Sequence, residues 1–178
     1  MKTLTLLRHA KSGWDDKVAR DFDRPLNRRG YRAARAVGNA MRANGLSFDR
    51  VVASPAKRVV ETLGEVEQAF GPLDAQYDES LYLPSTETLL DLIRATDDGV
   101  ERLLLVGHNP GLESLALALS GGSDNALRDQ IELKYPTATL AEISLDVERW
   151  ADVEKGKGVI TRFIRPRDLD PELGPDGT

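Results

Sequence analysis

Residues 102–106, RLLLV, run directly into Gly107-His108-Asn109-Pro110-Gly111. Four consecutive aliphatic side chains bounded by turn residues, too short for a buried helix, predict a strand covered on both faces. Beyond it Leu112, Leu115, Ala116 and Leu119 share one face, so Pro110 and Gly111 open a helix. The same order recurs upstream. TLTLL at 3–7 is β-branched and leucine-rich and ends at Arg8-His9. Residues 50–53 form a short apolar strand that enters Ser54-Pro55, read as a helix cap followed by proline at the first helical position. The helix beyond carries Val59, Leu63, Val66 and Phe70 on one stripe and stops at Gly71-Pro72.

The remaining segments fit between these units. Residues 11–29 turn polar, with Gly13 and Pro25, and predict a long surface loop. Residues 30–44 predict a helix with Ala33, Val37 and Met41 inward and Gly45 as its stop, and Leu89, Leu92 and Ile93 predict another. Strands alternating with amphipathic helices imply an α/β fold, a three-layer α-β-α sandwich with a mainly parallel central sheet and right-handed crossovers. The last third reads differently. Residues 138–146 alternate apolar with polar, 159–164 read VITRFI, and GKG stands between them at 156–158, so a C-terminal hairpin or edge-strand pair is expected. Residues 1–166 are expected to form one domain, and 167–178, without a periodic apolar face, a flexible tail. No internal repeat is visible.

Composition narrows the function. The chain has 178 residues, 40% of them hydrophobic, enough for one domain with an ordinary core. With 24 basic against 29 acidic side chains, the net charge of −5 lacks the positive field that nucleic-acid and anionic-membrane binders need, so neither partner is expected. The absence of cysteine removes disulfides, thiolate metal sites and a cysteine nucleophile. The apolar run at the N-terminus is broken by Arg8, too soon for a signal peptide or membrane helix, and a cytoplasmic protein is expected.

Both histidines of the chain, His9 and His108, stand at the ends of expected strands. In a parallel sheet such ends share one edge, where ligands bind in open α/β folds. Arg58 falls in the first turn of its helix, near backbone N–H groups that favour an anion, and Arg8 adjoins His9. Singly, each has an ordinary explanation: a solvated Arg8 or Arg58, a satisfied core His108. Together at strand ends, two arginines, two histidines and a helix N-terminus suit a dianion, most economically a phosphoryl group. The arginines that hold its oxygens in the ground state can also stabilise the transition state. Imidazole, with a reference pKa of about 6.5, is substantially neutral near pH 7, so one histidine can attack phosphorus without a separate base. Asp15 and Asp16 could join the histidines at a metal, but Arg8 and Arg58 would repel a cation, so no metal is expected. No Walker A loop or G-x-G-x-x-G appears, and no cofactor is expected.

LTLLRHAKS, ASPAKRVVETL and LLLVGHNPGL resemble the signatures of the histidine phosphatase (phosphoglycerate mutase-like) superfamily. With its RHAKS start, its DFDRPLNRRG segment and no large insertion, the chain is most similar to the small SixA-type phosphohistidine phosphatases. The resemblance covers residues 3 to about 120 in order. It implies that His9 becomes phosphorylated while Arg8, Arg58 and His108 hold the phosphoryl group, with Arg24 bordering the pocket. Ser54 is matched too, and its simplest role is helix capping. Many members have glycine where this chain has Ala10. Larger members supply a proton donor from a glutamate, for which Glu79 in YDESLY is the nearest candidate.

The expected function is a phosphatase working through a phospho-His9 intermediate, with phosphohistidine on a partner protein as substrate. A general small-molecule phosphomonoesterase and a non-catalytic phosphate-binding adaptor are the alternatives, and a phosphoglycerate mutase a third. The partner is therefore a phosphorylated protein or a small phosphorylated substrate. Oligomeric state is not legible from the sequence.

Overall fold

The computed structural model describes residues 1–13, 20–122 and 125–174. Its centre is one six-stranded sheet: β1 (Lys2–Arg8), β2 (Arg50–Ala53), β3 (Gln76–Tyr77), β4 (Arg102–Gly107), β5 (Leu140–Leu145) and β6 (Val159–Ile164), in the order β3-β2-β4-β1-β5-β6. The four strands from β3 to β1 are parallel; β5 runs antiparallel to β1, and β6 to β5. The mainly parallel sheet with an added C-terminal edge pair is thus the architecture that the strand-helix alternation implied.

The alternating direction of strand side chains splits the core into two layers. Leu4, Leu6, Leu103 and Leu105 pack on one side against α3 (Thr86–Arg94) and α4 (Gly111–Leu119), through Leu90, Ile93, Leu112 and Leu115. Leu7, Val51, Leu104 and Val106 pack on the other against α1 (Arg28–Ala43) and α2 (Lys57–Phe70), through Val37, Met41, Val59 and Leu63. A near-continuous aliphatic run such as β4 is what a strand buried on both faces requires. The two helices on that second side approach closely: a Cβ on Gly38 would lie 2.7 Å from the Val66 carbonyl oxygen, so α1 tolerates no side chain there.

Three local readings are revised. Helix α2 begins at Lys57 with Ala56 as its cap residue, and no side chain caps it. Ser54 Oγ accepts from the Ala56 N–H at 3.3 Å, ahead of the helix, and has a second partner, described below. Second, the sequence reading lacked α5 (Ala126–Leu133) and β3. A helix of eight residues with Ile131 as its one buried side chain has little periodicity, and a two-residue strand has none. Third, the chain between 166 and Gly174 makes contacts that the sequence did not show. Pro166–Leu169 form a helical turn, α6, Leu173 is buried against the α1/α2 layer, and Arg32 pairs with Asp170 and Glu172. Its apolar contribution is one leucine after a proline-rich turn, too sparse to give a pattern. Residues 175–178 lie outside the described residues. Among the described residues no helix is long and apolar enough to cross a membrane.

Candidate active site

Strand register builds the site. Leu7 faces Val106 and Arg8 faces Gly107 across the parallel β1/β4 pair, so the next residues in each chain, His9 and His108, leave the sheet side by side. Their ring centroids are 5.2 Å apart, with the planes at 55°. On the other flank of β4, Ala53 is in register with Val106, which brings Ser54 to the same edge. Arg58, the second residue of α2, reaches this edge from the helix start and is 3% exposed. A cavity of 430 Å³ opens here, lined by Arg8, His9, Arg58, His108, Arg24 and Asp21 among others. Five of the six candidates named from sequence therefore meet around one space.

Hydrogen bonds fix the tautomer of each neutral ring. His9 Nδ1 lies 2.7 Å from the Ala10 carbonyl oxygen, which can only accept, so the neutral ring carries its proton on Nδ1 and its lone pair on Nε2. Burial holds His9 well below the usual imidazole pKa; the Ala10 carbonyl opposes this, while His108, Arg8 and Arg58 reinforce it. His108 Nδ1 lies 3.3 Å from Arg58 Nη2, which can only donate, so His108 carries its proton on Nε2 and donates it to Ser54 Oγ at 2.8 Å. Burial and then the Arg58 charge bring His108 down to about 4. Both imidazoles are neutral at pH 7.

Charge around them is arranged by a second set of contacts. Arg8 Nη1 donates to the Tyr135 carbonyl at 2.8 Å, which anchors the guanidinium from β1. Asp21 gathers the rest. Its Oδ2 accepts from Arg58 Nη2 at 3.0 Å and Tyr82 Oη at 2.7 Å, its Oδ1 from Arg24 Nε at 3.0 Å, and its carbonyl from Arg58 Nη1 at 2.8 Å. Burial pushes the Asp21 carboxyl up, but Tyr82, Arg58 and Arg24 outweigh it, and its pKa falls to about 2. An ionised carboxylate thus aligns both arginines of this rim. Arg24 also donates to Ser12 Oγ at 2.7 Å, so it borders the pocket and is ion-paired at once.

Glu79 is the exception. It is exposed and lines a separate surface depression with Phe22 and Tyr82, which shares only Asp21 with the histidine pocket. Asp15 and Asp16 lie outside the described residues. Of two further participants, Ser54 reads from sequence as a helix cap, and Asp21 escapes the sequence reading. Ser54 sits at the end of β2 as the histidines sit at the ends of β1 and β4, and that common placement was the available signal. Asp21 stands three residues before Arg24, a spacing that suits an ion pair but does not announce the bond to Arg58.

Known proteins resemble this chain in sequence and in fold. A family model described as the histidine phosphatase superfamily (branch 1) matches residues 4–82. An uncharacterized protein of Mycobacterium tuberculosis is 39% identical over 165 residues, which cover 90% of this chain and 100% of that one. The crystal structure of SixA from Agrobacterium tumefaciens is similar with a TM-score of 0.79 at 30% identity, over 93% of this chain and 98% of that one. The phosphohistidine phosphatase SixA of Escherichia coli is 26% identical over 167 residues, 92% of this chain and 94% of its own length.

Proposed function

This chain belongs to the histidine phosphatase superfamily and is a phosphatase, and from that premise we propose that it dephosphorylates phosphohistidine on a partner protein, with His9 as nucleophile. The observation that carries the reading is the pairing of a neutral, Nδ1-protonated His9 with His108 inside an arginine pocket. Among the described residues its one lining carboxylate, Asp21, is ionised and held by Arg58, Tyr82 and Arg24.

Each group then has a task. The phosphoryl oxygens take hydrogen bonds from Arg8 and Arg58, which neutralise charge as it spreads over the equatorial oxygens. His9 Nε2 attacks phosphorus in line; a P–N bond forms to His9 as the P–N bond to the substrate imidazole breaks. Water then attacks the phosphorus of phospho-His9, the P–N bond to His9 breaks, and inorganic phosphate leaves. Once Arg58 Nη2 has turned from His108 Nδ1 to the phosphate, the ring gives its Nε2 proton to solvent, takes one on Nδ1 and donates it to a phosphoryl oxygen. Ser54 makes the change possible, because a hydroxyl can accept from Nε2–H or donate to a bare Nε2.

The proton inventory favours phosphohistidine over an ester. A phosphoimidazole whose free ring nitrogen has taken a proton from solvent, as an imidazole does near neutral pH, departs as a neutral imidazole of low basicity, whereas an alkoxide needs a positioned acid. Asp21, ionised with a pKa of about 2, has no proton to give at neutral pH, and Glu79 lies outside the pocket. The test is the turnover of phosphoramidate beside that of an alkyl phosphate monoester. This reading expects kcat/KM at least tenfold higher for the P–N substrate, and an enzyme that prefers the ester would refute it.

A further inference from the structure

Beside the catalytic pocket lies a second cavity, of 220 Å³, between the end of α5, residues 136–137 and the C-terminal turns. Its lining includes apolar Leu133, Pro136 and Leu173 and basic Lys134, Arg165 and Arg167. Leu133 is 87% exposed, the barest large apolar side chain among the described residues, and it stands at the edge of a ready-made apolar groove. Arg165 pairs with Asp168 at 2.9 Å, whereas Lys134 and Arg167 form no ion pair among the described residues. Three cations against that one carboxylate leave the rim net positive, on a chain whose overall charge is −5.

The groove and the pocket share a wall. Thr137 lines both. In the same segment the Tyr135 carbonyl accepts from Arg8 and the Ala138 N–H donates to the His9 carbonyl at 2.9 Å, so one stretch of backbone positions the reacting end and shapes the groove. A small phosphorylated molecule seated in the pocket has no use for such a neighbour, whereas a polypeptide has chain on either side of its phosphorylated residue. We propose that this groove seats the flanking segment of a phosphoprotein substrate, and that it selects an acidic segment bearing an apolar side chain. The inference rests on the phosphohistidine reading of the pocket and adds to it the chemistry of the protein that is recognised. An acidic chain docking on an acidic enzyme needs a local positive field to overcome the mean repulsion, and the rim supplies one.

Two synthetic peptides test it, each phosphorylated with phosphoramidate on a single histidine flanked by leucine, one with three glutamates nearby and one with three lysines in their place. Phosphoramidate itself is the third substrate. The wild-type enzyme is expected to cleave the acidic peptide with kcat/KM roughly tenfold above the basic one. Lys134→Glu/Arg167→Glu should abolish that preference, and Leu133→Asp should lower turnover of the acidic peptide; all three side chains are exposed, and phosphoramidate turnover should stay at the wild-type rate. Equal cleavage of the two peptides by the wild type, cleavage of phosphoramidate without either peptide, or variants that lose phosphoramidate and peptide turnover alike would overturn the groove. An enzyme that cleaves none of the three substrates would instead refute the reading of the pocket beneath it.

Discussion

Ser54→Ala separates two roles for one residue. As a helix cap Ser54 would matter to stability alone; as the partner of His108 Nε2 at 2.8 Å it sets the orientation of a ring in the pocket. Ser54 is 0% exposed and His108 is 2% exposed, so removing the hydroxyl leaves a buried N–H with nothing to bond. Such an orphan costs about 1–3 kcal/mol. For a chain of this size each kcal/mol lowers Tm by about 2–4 °C, so thermal unfolding should shift down by roughly 2–12 °C. In catalysis the released ring no longer presents Nδ1 to the phosphoryl group, and a loss of about 1.4–2.7 kcal/mol of transition-state stabilisation corresponds to a 10- to 100-fold fall in kcat/KM. The assay is phosphoramidate hydrolysis at saturating and limiting substrate, read beside the thermal transition. A variant with lowered Tm and wild-type kcat/KM would return Ser54 to a purely structural role and refute the argument.

Other outcomes follow from the same geometry. Glu79→Gln should leave kcat/KM within about twofold of wild type on phosphoramidate and on an ester alike, because exposed substitutions away from a site change little; a selective loss on the ester would identify Glu79 as its proton donor. The buried histidines make folding pH-dependent. As pH falls from the reference 6.5, His108 protonates in the unfolded chain but stays neutral in the folded one until about 4. Stability is therefore full above 6.5 and declines across that window, by on the order of 3 kcal/mol from His108 alone, with His9 acting in the same direction. Denaturant unfolding at pH 7.5 and 5.0, with His108→Asn for comparison, measures it; an equal decline in the variant would refute the assignment. We also propose that the domain extends to Gly174, and Leu173→Ala tests that: a buried leucine lost from the α1/α2 layer should cost about 2–5 kcal/mol, whereas a tail residue would cost nothing measurable.

Much of this was legible because the fold converts sequence position into space in a simple way. A residue that follows a buried parallel strand lies on one edge of the sheet, so His9, His108 and, through its helix, Arg58 could be assigned to one place before any coordinate. The two layers of the core follow from the alternation of Leu103 and Leu105 with Leu104 and Val106 in β4. What escaped notice depends on contacts that no periodicity encodes. Ser54 stands in a context that also fits a helix cap, and only the distance to His108 decides between the two. Asp21 joins Arg24, Arg58 and Tyr82 from a loop whose path the polar sequence leaves open. Leu173 is a single apolar residue among prolines and charges, and its burial depends on where the chain passes rather than on a pattern.

The central claim is a covalent bond between phosphorus and one imidazole. Rapid quenching at alkaline pH during phosphoramidate turnover, followed by peptide mass spectrometry, should find an acid-labile phosphoryl group on His9 in the wild type and none in His9→Ala, which should also lose turnover. A label on His108, or a His9→Ala protein that hydrolyses phosphoramidate at the wild-type rate, would contradict the account.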